Sequence, residues 1–169
     1  MALTVVITGA SRGIGKALAL HFAAAGYELL LSARQVEGLE TTINALRKQF
    51  PGIAIHGKAA DLSISEQAIA LGDWCLSFAA PDIIINNAGF FQPGSLADEP
   101  MGQLENQIQV NLGSAYHLTR TLLPSMLQRG TGHIFNICSI LPCNPIQMGV
   151  HTVSVNMHYM GLRKIFGKN

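Results

Sequence analysis

The sequence predicts an α/β protein built on a doubly wound parallel sheet. Short apolar or β-branched runs alternate with stretches whose apolar residues recur at helical spacing, the pattern of strands joined by crossover helices. A glycine-rich turn joins the first run to the first helical stretch. Charged residues make up only 12% of the chain and hydrophobic residues 49%, against about 25% charged in an average domain. Such a composition suits strands buried on both faces.

Leu3 to Thr8 is a β-branched run and reads as the first strand. Ile14 to Ala25 follows as a helix, Tyr27 to Ala33 as a strand and Val36 to Phe50 as a second helix. Gly52 to Lys58 is a third strand, Ser63 to Phe78 a third helix and Asp82 to Asn86 a fourth strand. A loop carrying Pro93, Gly94 and Pro100 leads into one long helix running to about Leu127, and His133 to Cys138 is a fifth strand. Ligands of such a sheet bind at the carboxyl ends of its strands. After Ile140 the character changes. Pro142, Cys143, Asn144 and Pro145 break any element, and His151 to Asn169 has little apolar periodicity. Residues 1–140 are therefore expected to form the domain, with 141–169 an aberrant tail and the sheet incomplete in its C-terminal half.

A length of 169 residues fits one domain. The formal net charge of +1 gives no reason to expect a nucleic-acid or acidic-membrane partner. No apolar run approaches the roughly 20 residues of a membrane span, and the N-terminus lacks the pattern of a signal peptide. The cysteines are Cys75, Cys138 and Cys143. An odd number without metal-ligand spacing suggests reduced thiols, a cytoplasmic protein and no metal site.

Thr8-Gly9-Ala10-Ser11-Arg12-Gly13-Ile14-Gly15 lies between the first strand and the first helix. A turn there must let backbone approach a pyrophosphate, which favours residues without a Cβ. Free N–H groups of the helix then meet the phosphates. The residue that reads the adenosine ribose is due at the end of the second strand, where the chain reads Ser32-Ala33-Arg34 with no carboxylate. A carboxylate would bind the 2′-hydroxyl of NAD. Arg34 instead offers a planar cation suited to a 2′-phosphate, and Arg12 could hold it from the other side. This favours NADP over NAD.

The Gly-x-x-x-Gly-x-Gly spacing after a threonine resembles the short-chain dehydrogenase/reductase family, and further motifs follow in the family's order. Asp61-Leu62 stands where the family contacts adenine. Asn86-Asn87-Ala88-Gly89 resembles the motif that braces the sheet beside the cofactor. Asn111, in Val110-Asn111-Leu112, matches the helix asparagine that supports a proton-relay water, and Ser139 matches the serine that hydrogen-bonds the substrate carbonyl. The resemblance covers residues 1–140. It implies a Rossmann-type fold and an NAD(P)-dependent oxidoreductase that interconverts a carbonyl and an alcohol by hydride transfer. It implies small-molecule substrates and a homo-oligomer in the intact form. The expected cofactor contacts are Thr8, Gly9, Ser11, Arg12, Gly13, Ile14, Gly15, Arg34, Asp61, Leu62, Asn87, Ala88 and Gly89, with Ser139 and Asn111 as catalytic residues.

The family's chemistry also needs a Tyr-x-x-x-Lys one helix further on, in which the tyrosine moves the hydroxyl proton and the lysine lowers its pKa. Those positions hold Thr152 and Asn156. Tyr159 and Arg163 repeat the spacing but lack the surrounding pattern. A neighbouring reading frame accounts for the gap. Back-translated from His151 to Gly161 and read from one base earlier, the segment permits A-Y-S-I-S-K-Y-A-L-Y-G, with tyrosine in register with Thr152 and lysine with Asn156. Some hidden residues are forced. Met157-His158 must hide alanine, His158-Tyr159 leucine, and Met148-Gly149 and Met160-Gly161 glycine. The expectation is a single-base frameshift after Ile140 and a chain without catalytic turnover. The alternative is a non-catalytic NADP-binding pseudoenzyme or scaffold.

Overall fold

The structure is a computed structural model of the 169-residue chain, and it describes residues 2–92 and 95–138. Its element order is β1 (Thr4–Thr8), α1 (Gly13–Ala24), β2 (Glu28–Ala33), α2 (Val36–Gln49), β3 (Ile55–Ala59), α3 (Ser65–Leu76) and β4 (Ile83–Asn86). A 3-10 turn (Leu96–Asp98), α4 (Gln103–Ile108), a π turn (Gln109–Gly113), α5 (Ser114–Arg129) and β5 (His133–Asn136) complete it. The strands form one sheet in the order β3-β2-β1-β4-β5, and every adjacent pair is parallel. This is the doubly wound architecture expected from the alternation of runs.

Side chains of a strand alternate between its faces, and here each face meets its own pair of helices. Val5, Ile7, Leu29, Leu31 and Ile85 pack with Ala19 and Ala23 of α1 and Leu39, Ile43 and Leu46 of α2. Val6, Leu30 and Ile84 pack with Ala68, Leu71 and Cys75 of α3 and Leu118, Leu122 and Met126 of α5. Every residue of β1 is buried as a result. At the amino ends of the strands, Asp82 accepts a hydrogen bond from the Thr4 N–H at 2.7 Å and pairs with Arg129 at 3.2 Å. The same guanidinium donates to the carbonyls of Ala80 and Pro81.

The expected long helix is interrupted. Gln109–Gly113 widens into a π turn between α4 and α5, a device often found at functional sites. Here the wide turn accompanies the placing of Asn111 against the main chain of Phe90. Pro124 lies within α5 without ending it. The helix stops instead at Gly130, whose φ of +76° makes a left-handed cap. The tail beyond residue 138 lies outside the described residues.

Candidate active site

The sheet reverses direction at β1, since β2 lies on one side of it and β4 on the other. A crevice must open where the connections leave in opposite directions. A cleft of about 480 Å³ stands there. It is lined from the expected set by Gly9, Ser11, Arg12, Gly13, Ile14, Arg34, Asp61, Leu62, Asn87, Ala88 and Gly89. Thr8, Gly15 and Asn111 lie behind that wall rather than on it, and Ser139, Thr152, Asn156, Tyr159 and Arg163 lie outside the described residues.

The turn after β1 is built by close contacts that exclude side chains. Gly9 has φ +68°, and a Cβ there would lie 2.9 Å from Nδ2 of Asn87 and 3.1 Å from Cα of Ala88. A Cβ on Gly15 would be driven into the Gly9 carbonyl and Asn87, so this glycine lets α1 pack on the turn. Gly13 differs. Its φ is +54°, yet a Cβ would meet nothing within 4 Å, because the residue faces the open cleft. Arg12 precedes α1 in an extended conformation with no side-chain cap, and the first turn has no acidic residue. The first N–H groups of α1 are thereby left to an anion.

Thr8 and Asn87 lock the two sides of the crevice together. The Thr8 hydroxyl accepts hydrogen bonds from the N–H groups of Asn87 at 3.0 Å and Ala88 at 2.9 Å. The Asn87 amide donates to the carbonyls of Thr8 at 2.9 Å and Gly9 at 3.3 Å. Asn86 braces the other side, donating to Asn136 of β5 at 2.8 Å and Thr119 of α5 at 3.1 Å. Ser11 is tied to α2 through its carbonyl, which accepts from the Thr42 hydroxyl at 3.2 Å.

Arg12 and Arg34 are exposed, and among the described residues neither makes an ion pair. Asp61 accepts from the Ser63 hydroxyl at 2.7 Å and the Ser63 N–H at 3.0 Å. Those two bonds hold its carboxyl below the usual range, hydroxyl first. Burial opposes them and the Arg34 charge adds to them. Asn111 donates to the Phe90 carbonyl at 2.8 Å and accepts from the Phe90 N–H at 2.7 Å. Among the described residues there is no cluster of acidic, histidine or cysteine side chains that could hold a metal. No helix among them is long and apolar enough to cross a membrane.

Sequence reasoning left out Ala33, Ala60, Phe90, Asn106 and Val110, which also line the cleft. Ala33 and Ala60 are small residues at or just past the ends of β2 and β3, where bulk would fill the crevice. Val110 neighbours Asn111, and Asn106 stands one helical turn ahead of it, so helical spacing was the available signal.

A parallel sheet with its cleft at this switch point, behind a glycine turn and an Asn-Asn-Ala-Gly brace, defines a dinucleotide-binding protein of the Rossmann type. The sequence matches the short chain dehydrogenase family over residues 3–151, and the chain belongs to that family of NAD(P)-dependent oxidoreductases. It is similar to the ketoacyl reductase HetN of a Nostoc species, with 37% identity over 142 residues, 81% of this chain and 47% of HetN. L-sorbose reductase from Gluconobacter frateurii, solved with NADPH and L-sorbose, superposes with a TM-score of 0.86 at 30% identity, covering 95% of this chain and 61% of that one. A metagenomic short-chain oxidoreductase in complex with NADP gives a TM-score of 0.86 at 33% identity, over 95% of this chain and 72% of its own. The chain spans about half the length of several curated relatives it matches.

Proposed function

We propose that this chain is the nucleotide-binding part of an NADP-preferring carbonyl reductase, and that as written it binds the cofactor without turning over. The observation that carries the cofactor reading is the pair of exposed guanidiniums, Arg12 and Arg34, on the wall of one cleft with no carboxylate at Ala33. The open Cβ position of Gly13 and the uncapped start of α1 fit a pyrophosphate between them. Similarity to proteins solved with NADPH or NADP supports the same cofactor.

When bound, the nicotinamide supplies or accepts the hydride that interconverts a ketone or aldehyde with an alcohol. The residues of this chain hold and orient it. Gly13, Ile14 and the start of α1 take the pyrophosphate. Arg34 and Arg12 take the 2′-phosphate, Asp61 and Leu62 the adenine side, and Asn87, Ala88 and Gly89 the wall between β1 and β4. Asn111 contributes position, since its amide is committed to Phe90. Ser139 would polarise the substrate carbonyl. The proton has no evident donor, because Thr152 and Asn156 stand where the family's Tyr and Lys belong. A positioned general acid contributes about 10²- to 10⁴-fold.

The reading-frame account explains that loss as a single-base change after Ile140, with residues 141–169 out of frame. The second reading is a pseudoenzyme that keeps the nucleotide site as a sensor or scaffold. Its support is the completeness of the glycine cradle beside the missing dyad. We further propose a small carbonyl or alcohol partner, a cytoplasmic setting and a homo-oligomeric intact form. The test is equilibrium binding of NADPH and NADH to the unmutated chain and to Arg34→Ala. NADPH should bind more tightly, and the substitution should weaken NADPH at least about tenfold, as expected for loss of a charge-assisted bond, while sparing NADH. Equal affinity for the two cofactors in the unmutated chain would contradict the reading.

A further inference from the structure

Asn106 is a polar side chain on the wall of the cleft to which no role has been assigned. It is half-buried in α4 and lines the cleft together with Val110. Among the described residues its side-chain amide has no hydrogen-bond partner, while its N–H is used within the helix, donating to the Gly102 carbonyl at 3.0 Å. Both the donor and the acceptor of the amide are therefore offered to whatever fills the cleft.

The packing of α3 on α5 decides which part of a dinucleotide that is. Both helices return from the carboxyl edge of a parallel sheet, so they run in the same direction. They cross where Gly72 meets Thr121, so closely that a Cβ on Gly72 would lie 2.6 Å from Thr121 Cγ2. Ser65 and Ser114, the first residues of the two helices, stand equally far ahead of that crossing. Asp61, in the loop that leads into α3, and Val110, in the π turn that leads into α5, precede those first residues by the same number of positions. Val110 lines the same cleft as Asp61 and Leu62, and the parallel course of the two helices directs it toward their part of the wall. Asn106 is one helical turn beyond Val110, about 6 Å further along the axis, at the outer rim of the same wall.

We infer that Asn106 is a specificity-determining residue that reads the edge of the adenine base, completing a pair with Asp61 across the apolar slot of Leu62 and Val110. The inference rests on the cofactor reading above and deepens it. An ionised Asp61 can only accept a hydrogen bond, so it takes the exocyclic amine. The Asn106 amide can donate to a ring nitrogen, which a carboxylate cannot. A hypoxanthine base replaces the amine by a carbonyl and protonates the ring nitrogen beside it, so it opposes Asp61 and meets Asn106 only once the amide has turned its oxygen inward.

The test uses calorimetry on the full 169-residue chain and on Asn106→Leu and Asn106→Ala, each checked for native circular dichroism. The ligands are NADP, its hypoxanthine analogue and adenosine 2′,5′-bisphosphate, which keeps base and ribose phosphate but has no nicotinamide. One neutral hydrogen bond corresponds to about twofold to tenfold in affinity. Both variants should weaken NADP and the bisphosphate by the same factor, while the hypoxanthine analogue, which Asp61 opposes in every form, should bind less tightly than NADP throughout. A bisphosphate affinity unchanged in both variants, with NADP still bound, overturns the role of Asn106 and leaves the cofactor reading standing. An unmutated chain that binds neither NADP nor the bisphosphate overturns the cofactor reading and this inference with it. Loss of NADP affinity alone would place Asn106 at the nicotinamide end and overturns the assignment to the base.

Discussion

Asn111 and Phe90 exchange two hydrogen bonds, side chain to main chain, at 2.7 and 2.8 Å. The amide of Asn111 acts here as a peptide group would in a sheet ladder, and it joins the π turn to the loop that leaves β4. That loop carries Gly89 and Phe90 into the cleft wall. A residue expected for its part in proton transfer is therefore also a clasp on the shape of the site.

Replacing Asn111→Leu keeps the branched heavy-atom skeleton and removes both bonds. Leaving the Phe90 N–H and carbonyl without partners should cost about 1–3 kcal/mol of stability, read as a lower midpoint in urea unfolding. Asn111→Asp should recover less than half of this, because a carboxylate accepts from the N–H but faces the carbonyl with no donor. A midpoint unchanged in Asn111→Leu would show that the clasp contributes nothing.

The glycines of the nucleotide turn should separate by experiment. Gly15→Ala forces a Cβ into the Gly9 carbonyl and Asn87, so it should lower the melting temperature by several degrees and abolish NADPH binding. Gly13→Ala meets no atom within 4 Å and carries only the cost of its positive φ, about 1–2 kcal/mol. Gly13→Ala should stay folded yet lose affinity, because its methyl occupies the cleft. Identical melting curves for the two variants would refute this division.

Cys75 lies under α3 in the core, and burial pushes its thiol up to about 12, with Lys58 opposing the shift weakly. In the unfolded chain the thiol titrates near its ordinary value of 9.0. Between those values the unfolded state releases a proton that the folded state keeps, so the stability Cys75 contributes falls as pH rises through that window. Cys75→Ala should flatten this alkaline decline in chemical unfolding. At neutral pH Cys75 should resist alkylation in the folded chain, whereas exposed Cys138 reacts. Equal labelling of the two would mean that α3 opens readily.

Restoring one base shortly after the Ile140 codon should place tyrosine in register with Thr152 and lysine with Asn156. Sequencing of the gene checks this directly. Third bases that do not spell the motif in the neighbouring frame would leave the tail as a genuine ending and move the pseudoenzyme reading to first place. With the motif restored, carbonyl reduction with NADPH should rise from background.

The nucleotide turn was legible because its demands are local: Gly9, Gly13 and Gly15 sit at fixed spacing between one strand and one helix. Arg34 was legible for the same reason, as the residue that follows β2. The Thr8–Asn87 lock joins positions 79 apart in the chain, so sequence pattern offers the two residues but not their contact. The π turn had no signature, since Gln109 to Gly113 continue an ordinary helical composition and the turn becomes visible only with the distant partner, Phe90. Asn106 went unnoticed because a polar residue on a helix is usually solvated, and only the assembled cleft wall shows that it belongs to the site.

The alternation along β1 has a consequence for how the protein comes apart. Val5 and Ile7 belong to the core under α1 and α2, while Val6 between them belongs to the core under α3 and α5. No residue of this strand can leave one core without loosening its neighbours in the other. The two helical layers should thus behave as one cooperative unit, with amide protons of α1 and α2 exchanging through the same opening event as those of α3 and α5. The glycine turn is attached to that strand, so the ligand we propose for it would be held by a segment that both cores share.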